Sequence, residues 1–178
     1  MGLEIVPIER RHITGFREVL DGVARERRWL ALLEAPPLPR VRSFVLNGLR
    51  NGMTQFVAVD QGRVVGWCDV NPKTHETLRH SGVLGMGVAA SHRGQGLGVA
   101  LLRATLEVAA ASGIRRVELI VRADNAAAIR LYEKHGFELE GRLREYLIVD
   151  GRAYDALQMA RLAARGPGGG KTQRGTHS

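Results

Sequence analysis

The sequence predicts a mixed α/β domain, and two observations lead to this prediction. Short hydrophobic segments suited to strands alternate with longer segments whose apolar residues recur at helical spacing. Between one such pair, residues 83–88 and 99–111, lies the glycine-rich run Arg93-Gly94-Gln95-Gly96-Leu97-Gly98. The chain has 178 residues, 44% of them hydrophobic and 25% charged, which is enough for one domain with a buried core.

The first half of the chain is predicted to form one strand, two helices and a hairpin. Residues 3–8 alternate as a strand does, and the proline-rich break at 35–39 separates two helical patterns. The pair Gln61-Gly62 is suited to a hairpin turn. In chain order we expect a strand at 3–8, helices at 12–28 and 40–50, hairpin strands at 55–60 and 63–69, and a polar loop at 71–81.

The second half is predicted to alternate strands and helices and then close with a long hairpin. Asp150-Gly151 is the turn of that hairpin, and glycine and polar residues dominate from Gly166 onward. We therefore expect a single domain over 1–162 and a flexible, basic, glycine-rich tail over 163–178. The elements are a strand at 82–90, a helix at 95–112, a strand at 117–121, a helix at 125–135, and hairpin strands at 137–149 and 152–159.

The glycine-rich run is suited to binding a pyrophosphate. Glycines let backbone N–H groups converge at the start of a helix, where the helix dipole also attracts an anion. Arg93 adds a planar donor group that suits phosphate oxygens. A Rossmann fingerprint is excluded because Val99 stands where Gly or Ala is needed, and a Walker A loop is excluded because Arg165 replaces its first glycine.

Two motifs in order resemble those of the GNAT superfamily of acetyltransferases. The first is R-x-x-G-x-G at 93–98, and the second is N-x-x-A-x-x-x-Y-x-x-x-G-F at 125–137. The resemblance covers residues 3–162 and is specific over 83–160. It implies a largely antiparallel central sheet of about seven strands with helices on both faces, in which the fourth and fifth strands splay apart. Gly85 and Gly87 within the fourth strand predict a bulge or the close approach of another backbone.

The resemblance implies acetyl-CoA as the cofactor and assigns roles to several residues. An N–H group near Val88 is expected to stabilise negative charge on the thioester oxygen. Tyr132 is expected to be the general acid at the sulfur, although a place in the core also suits it. Asn125 also suits a helix N-cap, which is compatible with cofactor binding. The full set expected to bind the cofactor is Met86, Gly87, Val88, Arg93, Gly94, Gln95, Gly96, Leu97, Gly98, Asn125, Ala128 and Tyr132.

The general base is less clearly indicated. The fourth strand offers no acid, and Glu118 on the fifth strand shares a face with Ile120, which makes it the candidate for this catalytic role. A salt-bridged surface glutamate is an equally good interpretation of Glu118. Asp69, or a water that passes the proton along polar groups, is the alternative. The histidines at 75, 80 and 92 fall on predicted loops and are better interpreted as solvated side chains.

Composition narrows the class of protein further. The net charge of +8 includes three basic residues of the tail, and no recognition-helix or aromatic-interleaved basic pattern accompanies it, so we expect no nucleic-acid partner. No apolar run is long enough to span a membrane, and we expect a cytoplasmic protein. Cys68 is expected to be a buried small hydrophobe. The histidines and the cysteine show no metal-ligand spacing.

The C-terminal segment narrows the expected acceptor. The pattern E-G-x4-Y-x4-G-x3-D-x3-M-A-R over 140–161 resembles a bacterial branch with L-amino-acid and phosphinothricin acetyltransferases. This favours a small amine that carries a carboxylate, which Arg28 or Arg144 is suited to hold. Three alternatives stay open: an acetyltransferase for protein N-termini, a catalytically weak CoA-binding sensor or structural domain, and a nucleic-acid binder. The expectation of a homodimer rests on the family resemblance alone.

Overall fold

Seven strands and four helices make up residues 2–163, the part of the chain that the computed structural model describes. The predicted tail lies outside the described residues from position 164 onward. All the elements predicted from the sequence are present, and short 3₁₀ turns at Arg10–His12, Glu76–Leu78 and Ala90–His92 join some of them. In chain order the elements are β1 (Glu4–Pro7), α1 (Ile13–Arg25), α2 (Leu38–Arg50), β2 (Thr54–Asp60), β3 (Arg63–Pro72), β4 (Ser81–Val88), α3 (Leu97–Ala111), β5 (Arg116–Arg122), α4 (Ala126–Lys134), β6 (Glu138–Val149) and β7 (Arg152–Leu162).

The strands form one sheet in the order β1-β2-β3-β4-β5-β7-β6. Every neighbouring pair is antiparallel except β4 and β5, which run parallel. That parallel pairing joins only Ser81, Gly82 and Val83 to residues 116–118. Beyond it, β4 continues to Val88 and β5 to Arg122 without pairing to each other. The predicted splay of the fourth and fifth strands is therefore confirmed.

Helices cover both faces of this sheet, because successive side chains of a strand point to opposite faces. On β3, Trp67 joins the core formed with α1 and α2. Its neighbour Cys68 joins the core formed with α3, where it is fully buried as expected. Burial raises the pKa of the Cys68 thiol, which keeps it an inert, protonated part of the core.

Several boundaries differ from the prediction, among them the end of α1, which is at Arg25 and not at residue 28. Asn71 and Pro72 extend β3, although their polarity and turn propensity predicted a loop, because they pair with Val83 and Gly82 of β4. The fourth strand ends at Val88, and the 3₁₀ turn Ala90–His92 replaces its predicted last residues. The last strand runs on to Leu162, where it pairs with Arg116 of β5. For β3 and β7 the strand partner, which local sequence does not reveal, decides the boundary.

Candidate active site

The unpaired edge of β4 presents backbone groups to the gap between β4 and β5. Lys73 N donates to Ser81 O at 2.9 Å and Ala89 N donates to Val65 O at 2.8 Å, so odd-numbered residues of this segment exchange hydrogen bonds with β3. In an antiparallel pair the intervening residues direct their N–H groups the other way. Met86 and Val88 thus point their N–H groups into the gap. This orientation is the one that the predicted role of Val88 requires.

A cleft of about 570 Å³ passes through this gap. It is bounded by β4, β5, the start of α3, the α4 helix and the segment after α1. The structure brings every residue predicted to bind the cofactor to the cleft wall except Gln95, whose side-chain amide donates to Ser91 O at 3.1 Å. The residues of the predicted set that line the cleft are Met86, Gly87, Val88, Arg93, Gly94, Gly96, Leu97, Gly98, Asn125, Ala128 and Tyr132.

The glycine loop has the backbone conformation that an anion site at a helix start needs. Gly94 and Gly96 have φ of +74° and +79°, and Gly96 is the N-cap of α3. A Cβ atom at either position would meet nothing within 4 Å, so the requirement for glycine there is conformational. The first intrahelical bond runs from Ala100 N to Gly96 O, which leaves the preceding N–H groups of the helix available. These groups can hold phosphate oxygens.

The side chain of Arg93 is already engaged. Its Nη1 and Nη2 atoms donate to the two carboxylate oxygens of Glu26 at 2.7 and 2.6 Å, and its Nε donates to Val88 O at 2.8 Å. Trp29 Nε1 also donates to Glu26, and Arg93 holds the pKa of this carboxyl below its usual range. The predicted contact between the Arg93 guanidinium and a phosphate stays a prediction, and in this arrangement it competes with Glu26. The sequence did not reveal Glu26, because 67 residues separate it from Arg93.

Tyr132 and Asn125 lie on the cleft wall formed by α4. Tyr132 is 7% exposed, and its ring packs against Phe137 with the centroids 5.6 Å apart. Burial raises the pKa of its hydroxyl, so the group holds its proton near neutral pH. Asn125 caps α4, since its Oδ1 accepts from Ala128 N at 3.2 Å. Both interpretations of each residue, structural and functional, are therefore compatible with its place.

The structure places Glu118 outside the lining of the cleft. Its carboxylate forms ion pairs with Lys73 at 2.5 Å and with Arg116 at 3.2 Å, and it belongs to the paired part of β4 and β5. Its neighbour Leu119 lines the cleft, and so does Ile120, whereas Glu118 does not. Because the carboxylate is paired with two cations at the closed end of the splay, its position favours the interpretation as a salt-bridged glutamate, and its role as general base stays a prediction.

Gly85 and Gly87 accommodate side chains of β3 and do not form a bulge. The register of β3 against β4 is continuous through both residues. A Cβ atom on Gly87 would lie 2.3 Å from the Trp67 ring, and one on Gly85 would lie 3.4 Å from both carboxylate oxygens of Asp69. A close approach at the glycines is thus present, but the approaching groups are side chains and not backbone. Both glycines line the cleft.

A further part of the cleft wall is formed by α1 and the segment that follows it. Val23, Trp29, Leu30 and Ala31 line the cleft there. Arg28 stacks on the Trp29 ring, with its Cζ atom 4.8 Å from the centroid, and helps to lower the pKa values of Asp124 and Glu26. Arg144, in contrast, lines a separate groove beside Asp155. Of the two arginines suggested for an acceptor carboxylate, only Arg28 packs on a residue of the cleft wall.

Within residues 2–163, no group of three or more His, Cys, Asp or Glu side chains is placed to hold a metal ion. None of the helices in that part of the chain is long and apolar enough to cross a membrane.

Comparison with known proteins identifies the family. Residues 23–137 match the model of the acetyltransferase (GNAT) family, so the chain belongs to this family. Over 114 residues it is 35% identical to the L-amino acid N-acetyltransferase AaaT of Escherichia coli, an alignment that covers 64% of this chain and 70% of AaaT. It is 34% identical over 96 residues to an L-methionine sulfoximine/L-methionine sulfone acetyltransferase of Pseudomonas aeruginosa, covering 53% of this chain and 56% of the relative.

Solved structures agree with the fold. The ribosomal-protein-alanine N-acetyltransferase of Brucella melitensis superposes with a TM-score of 0.84 at 27% identity, covering 90% of this chain and 99% of that one. A phosphinothricin acetyltransferase of Sinorhizobium meliloti, solved in complex with acetyl-CoA, superposes with a TM-score of 0.83 at 23% identity, covering 98% and 95%. Acetyl-CoA is the cofactor of this family. The free β4 edge and the open N-terminus of α3 fit its pantetheine and pyrophosphate groups.

Proposed function

We propose that this enzyme transfers the acetyl group of acetyl-CoA to the primary amine of a small carboxylate-bearing molecule, an amino acid or a similar compound, by direct attack on the thioester. The observation that carries the proposal is the cleft that passes through the splayed sheet. Its lining includes both the glycine loop and Trp29 with its neighbours, so cofactor and acceptor can meet between β4 and β5. The relatives that act on L-amino acids support the same class of acceptor.

Three groups of the chain carry the proposed chemistry. Acetyl-CoA supplies an acyl carbon that is activated as a thioester. The N–H group of Val88 points into the gap, where it can donate to an oxygen that becomes negative, a contribution of about 3 kcal/mol. The Tyr132 hydroxyl holds a proton at the cleft wall for the departing sulfur. The unpaired N–H groups at the start of α3 hold the pyrophosphate.

Arg28 is the group that we propose binds the acceptor carboxylate. A charge-assisted hydrogen bond to a carboxylate contributes about 1.5–3 kcal/mol, equivalent to about 10- to 100-fold in affinity. Arg28→Gln should therefore raise the KM of an amino acid about 10-fold or more and leave the KM of the corresponding amino-acid amide nearly unchanged. Arg144→Gln is the matched control, because that arginine lines a separate groove, whereas Arg28 packs on Trp29 of the cleft wall. Equal effects of the two substitutions would contradict this role for Arg28.

An acceptor screen tests the proposal directly. Thiol release from acetyl-CoA should be followed with free L-amino acids, methionine sulfone, amino-acid amides and short peptides with free N-termini. Turnover with free amino acids but not with peptides supports the proposed acceptor class. Preference for peptides would favour the alternative of an acetyltransferase for protein N-termini. Binding of acetyl-CoA without turnover of any amine would favour the CoA-binding sensor.

The setting of the enzyme is also proposed. A bacterial enzyme of the cytoplasm is supported by the bacterial relatives and by its use of acetyl-CoA. A homodimer is our expectation from the family resemblance, and sedimentation equilibrium over a range of protein concentrations tests it. Salt-dependent binding to a DNA duplex would overturn the expectation that nucleic acid is not a partner.

A further inference from the structure

Asp69 is a buried carboxyl group at the centre of the sheet for which the family match gives no role. It lies on β3 between Gln55 of β2 and Gly85 of β4, and its side chain is on the sheet face that α1 and α2 cover. Only 6% of the residue is exposed. The cleft reaches the same face, since Val23 and Trp29, which belong to the core on that face, form part of its wall.

The polar groups around Asp69 have few hydrogen-bond partners. Gln55 is 3% exposed, and neither its Nε2 nor its Oε1 has a partner within the described residues. Asn71 Nδ2 approaches Asp69 Oδ1 at 3.4 Å, a long hydrogen bond. A buried amide without partners costs about 1–3 kcal/mol for each lost bond. A hydrogen-bonding occupant such as water is therefore expected beside Gln55 and Asp69.

Gly85 leaves the space between this carboxyl group and the cleft open. A Cβ atom at Gly85 would lie 3.4 Å from each carboxylate oxygen of Asp69, so the carboxylate extends across the Cα atom of a residue that lines the cleft. The φ angle of Gly85 does not lie in the left-handed region, and so its backbone does not require glycine. The absence of a side chain at Gly85 leaves no Cβ atom between a small molecule in the cleft and the carboxyl group.

We propose that Asp69 is the general base that deprotonates the acceptor amine, directly or through one water held by Gln55. This inference rests on the proposed function, because it needs an amine acceptor in the cleft. Gln55 is a positioning residue in this account. It places the water and does not itself exchange the proton.

The proposed step is balanced in protons and charge. The acceptor enters as an ammonium ion, one of its N–H bonds breaks, and an O–H bond forms on the Asp69 carboxylate. The products are a neutral amine with a free lone pair and a neutral carboxylic acid. Asp69 then releases the proton to solvent, which restores the carboxylate for the next cycle.

The electrostatics of Asp69 suit this step. Burial raises its pKa to about 7, and no charged side chain contributes to the shift. Of its neighbours, Gln55, Gly85 and Asn71 do not titrate, and Cys68 is a buried thiol whose raised pKa keeps it protonated. A base with a pKa near the working pH combines an available carboxylate with a useful proton affinity.

Asp69→Asn tests the proposal, because it keeps the size of the side chain and removes its ability to accept a proton. We expect kcat to fall by about 100-fold or more with the calorimetric affinity for acetyl-CoA unchanged. In the parent, kcat/KM should rise with pH through a limb near 7, and this limb should be absent from the variant. His92→Gln should retain the limb, which separates Asp69 from the histidine that lines the cleft. Glu140→Gln, a carboxyl group on β6 paired with Arg116, is the control for loss of negative charge.

Two further measurements keep the proposal open to refutation. Gly85→Ala should lower kcat while leaving acetyl-CoA affinity and the melting temperature near those of the parent, because the new methyl group fills the path to Asp69. The ¹³C shift of the Asp69 carboxyl carbon should titrate near pH 7 without any acceptor present. Turnover by Asp69→Asn at the parent rate overturns the proposal while the proposed function stands. A parent that acetylates no amine overturns both.

Discussion

The cofactor side of the cleft is made of backbone, whereas the acceptor side is made of side chains from distant parts of the chain. On the cofactor side, the β4 edge and the loop into α3 lie within residues 86–99 and present backbone N–H groups. On the proposed acceptor side, Arg28 and Trp29 follow α1, whereas Asp69 lies on β3. A backbone site is sensitive to conformation and charge, while a side-chain site is sensitive to the loss of single functional groups.

One ion pair joins the two sides. Glu26 follows α1 on the acceptor side and binds the guanidinium of Arg93 in the glycine loop. Arg93 also donates to Val88 O, so the same side chain fixes the end of β4. Arg27 forms a second ion pair with Asp150 in the turn between β6 and β7. The segment after α1 is thus attached both to the cofactor loop and to the hairpin that closes the sheet.

The largest expected effect comes from placing a charge in the backbone site. Gly96→Asp should weaken acetyl-CoA binding at least about 100-fold, because like charges brought together at a binding site cost several kcal/mol. The fold should persist, since a side chain there has open space and aspartate tolerates positive φ better than most residues. Calorimetry with acetyl-CoA measures the effect.

Gly113→Asp is the matched control for that prediction. Gly113 also has positive φ, +91°, and open space around it, but it follows the other end of α3. It therefore introduces the same charge and similar backbone strain away from the loop. If both variants bound acetyl-CoA as tightly as the parent, the glycine loop would not be the pyrophosphate site.

The next largest effect is expected from removing the Tyr132 hydroxyl, which holds a proton at the cleft wall. Tyr132→Phe keeps the ring and its contact with Phe137 and removes only the hydroxyl group. If this group protonates the departing thiolate, kcat should fall by about 100-fold with little change in acetyl-CoA affinity. Steady-state kinetics and calorimetry separate the two quantities. Unchanged turnover would reduce Tyr132 to a packing residue.

Local motifs were enough to predict the residues of the cofactor side. Much of the acceptor side depends on contacts between residues far apart in the sequence, which local motifs do not reveal. The spacing of Gly94, Gly96 and Tyr132 was enough to predict residues that the structure places at one cleft, because the loop and helix that carry them follow local sequence rules. Alternation gives the face that Glu118 shares with Ile120 but not its ion-pair partners, Lys73 and Arg116, so the sequence left its two interpretations open. Glu26 was missed for the same reason, since its partner lies far along the chain.

The free energy of unfolding should also depend on pH through Asp69, which lies on the proposed acceptor side. The pKa of Asp69 is about 7 when folded, against an ordinary value of 3.8, so the folded state binds this proton more tightly than the unfolded state. The associated stability is complete below pH 3.8 and is lost as the pH rises through 7. Between about pH 5.5 and 8.5 the parent should lose about 2 kcal/mol relative to Asp69→Asn. Urea unfolding at the two pH values measures this, and parallel pH dependences would contradict the raised pKa.

A smaller effect is expected at the link between the two sides. Glu26→Gln removes the charge that holds Arg93, so the guanidinium becomes available and a negative charge near the cofactor loop disappears. Acetyl-CoA should then bind about fivefold more tightly, equivalent to about 1 kcal/mol. Calorimetry at two salt concentrations tests this, with Asp21→Asn as the control on α1. Weaker binding would show that the ion pair is needed to shape the loop.

The smallest effect on activity is expected at Glu118. Glu118→Gln removes a carboxylate that lies outside the cleft and is paired with Lys73 and Arg116. We expect kcat to stay within about twofold of the parent, because an ion pair outside the site contributes to folding and not to proton transfer. The free energy of unfolding should fall by about 0.5–1 kcal/mol, the usual size for partly exposed ion pairs. Two results together would instead identify Glu118 as the general base. Glu118→Gln would lose about 100-fold in kcat, the size expected for a general base, and Asp69→Asn would keep the pH limb of the parent.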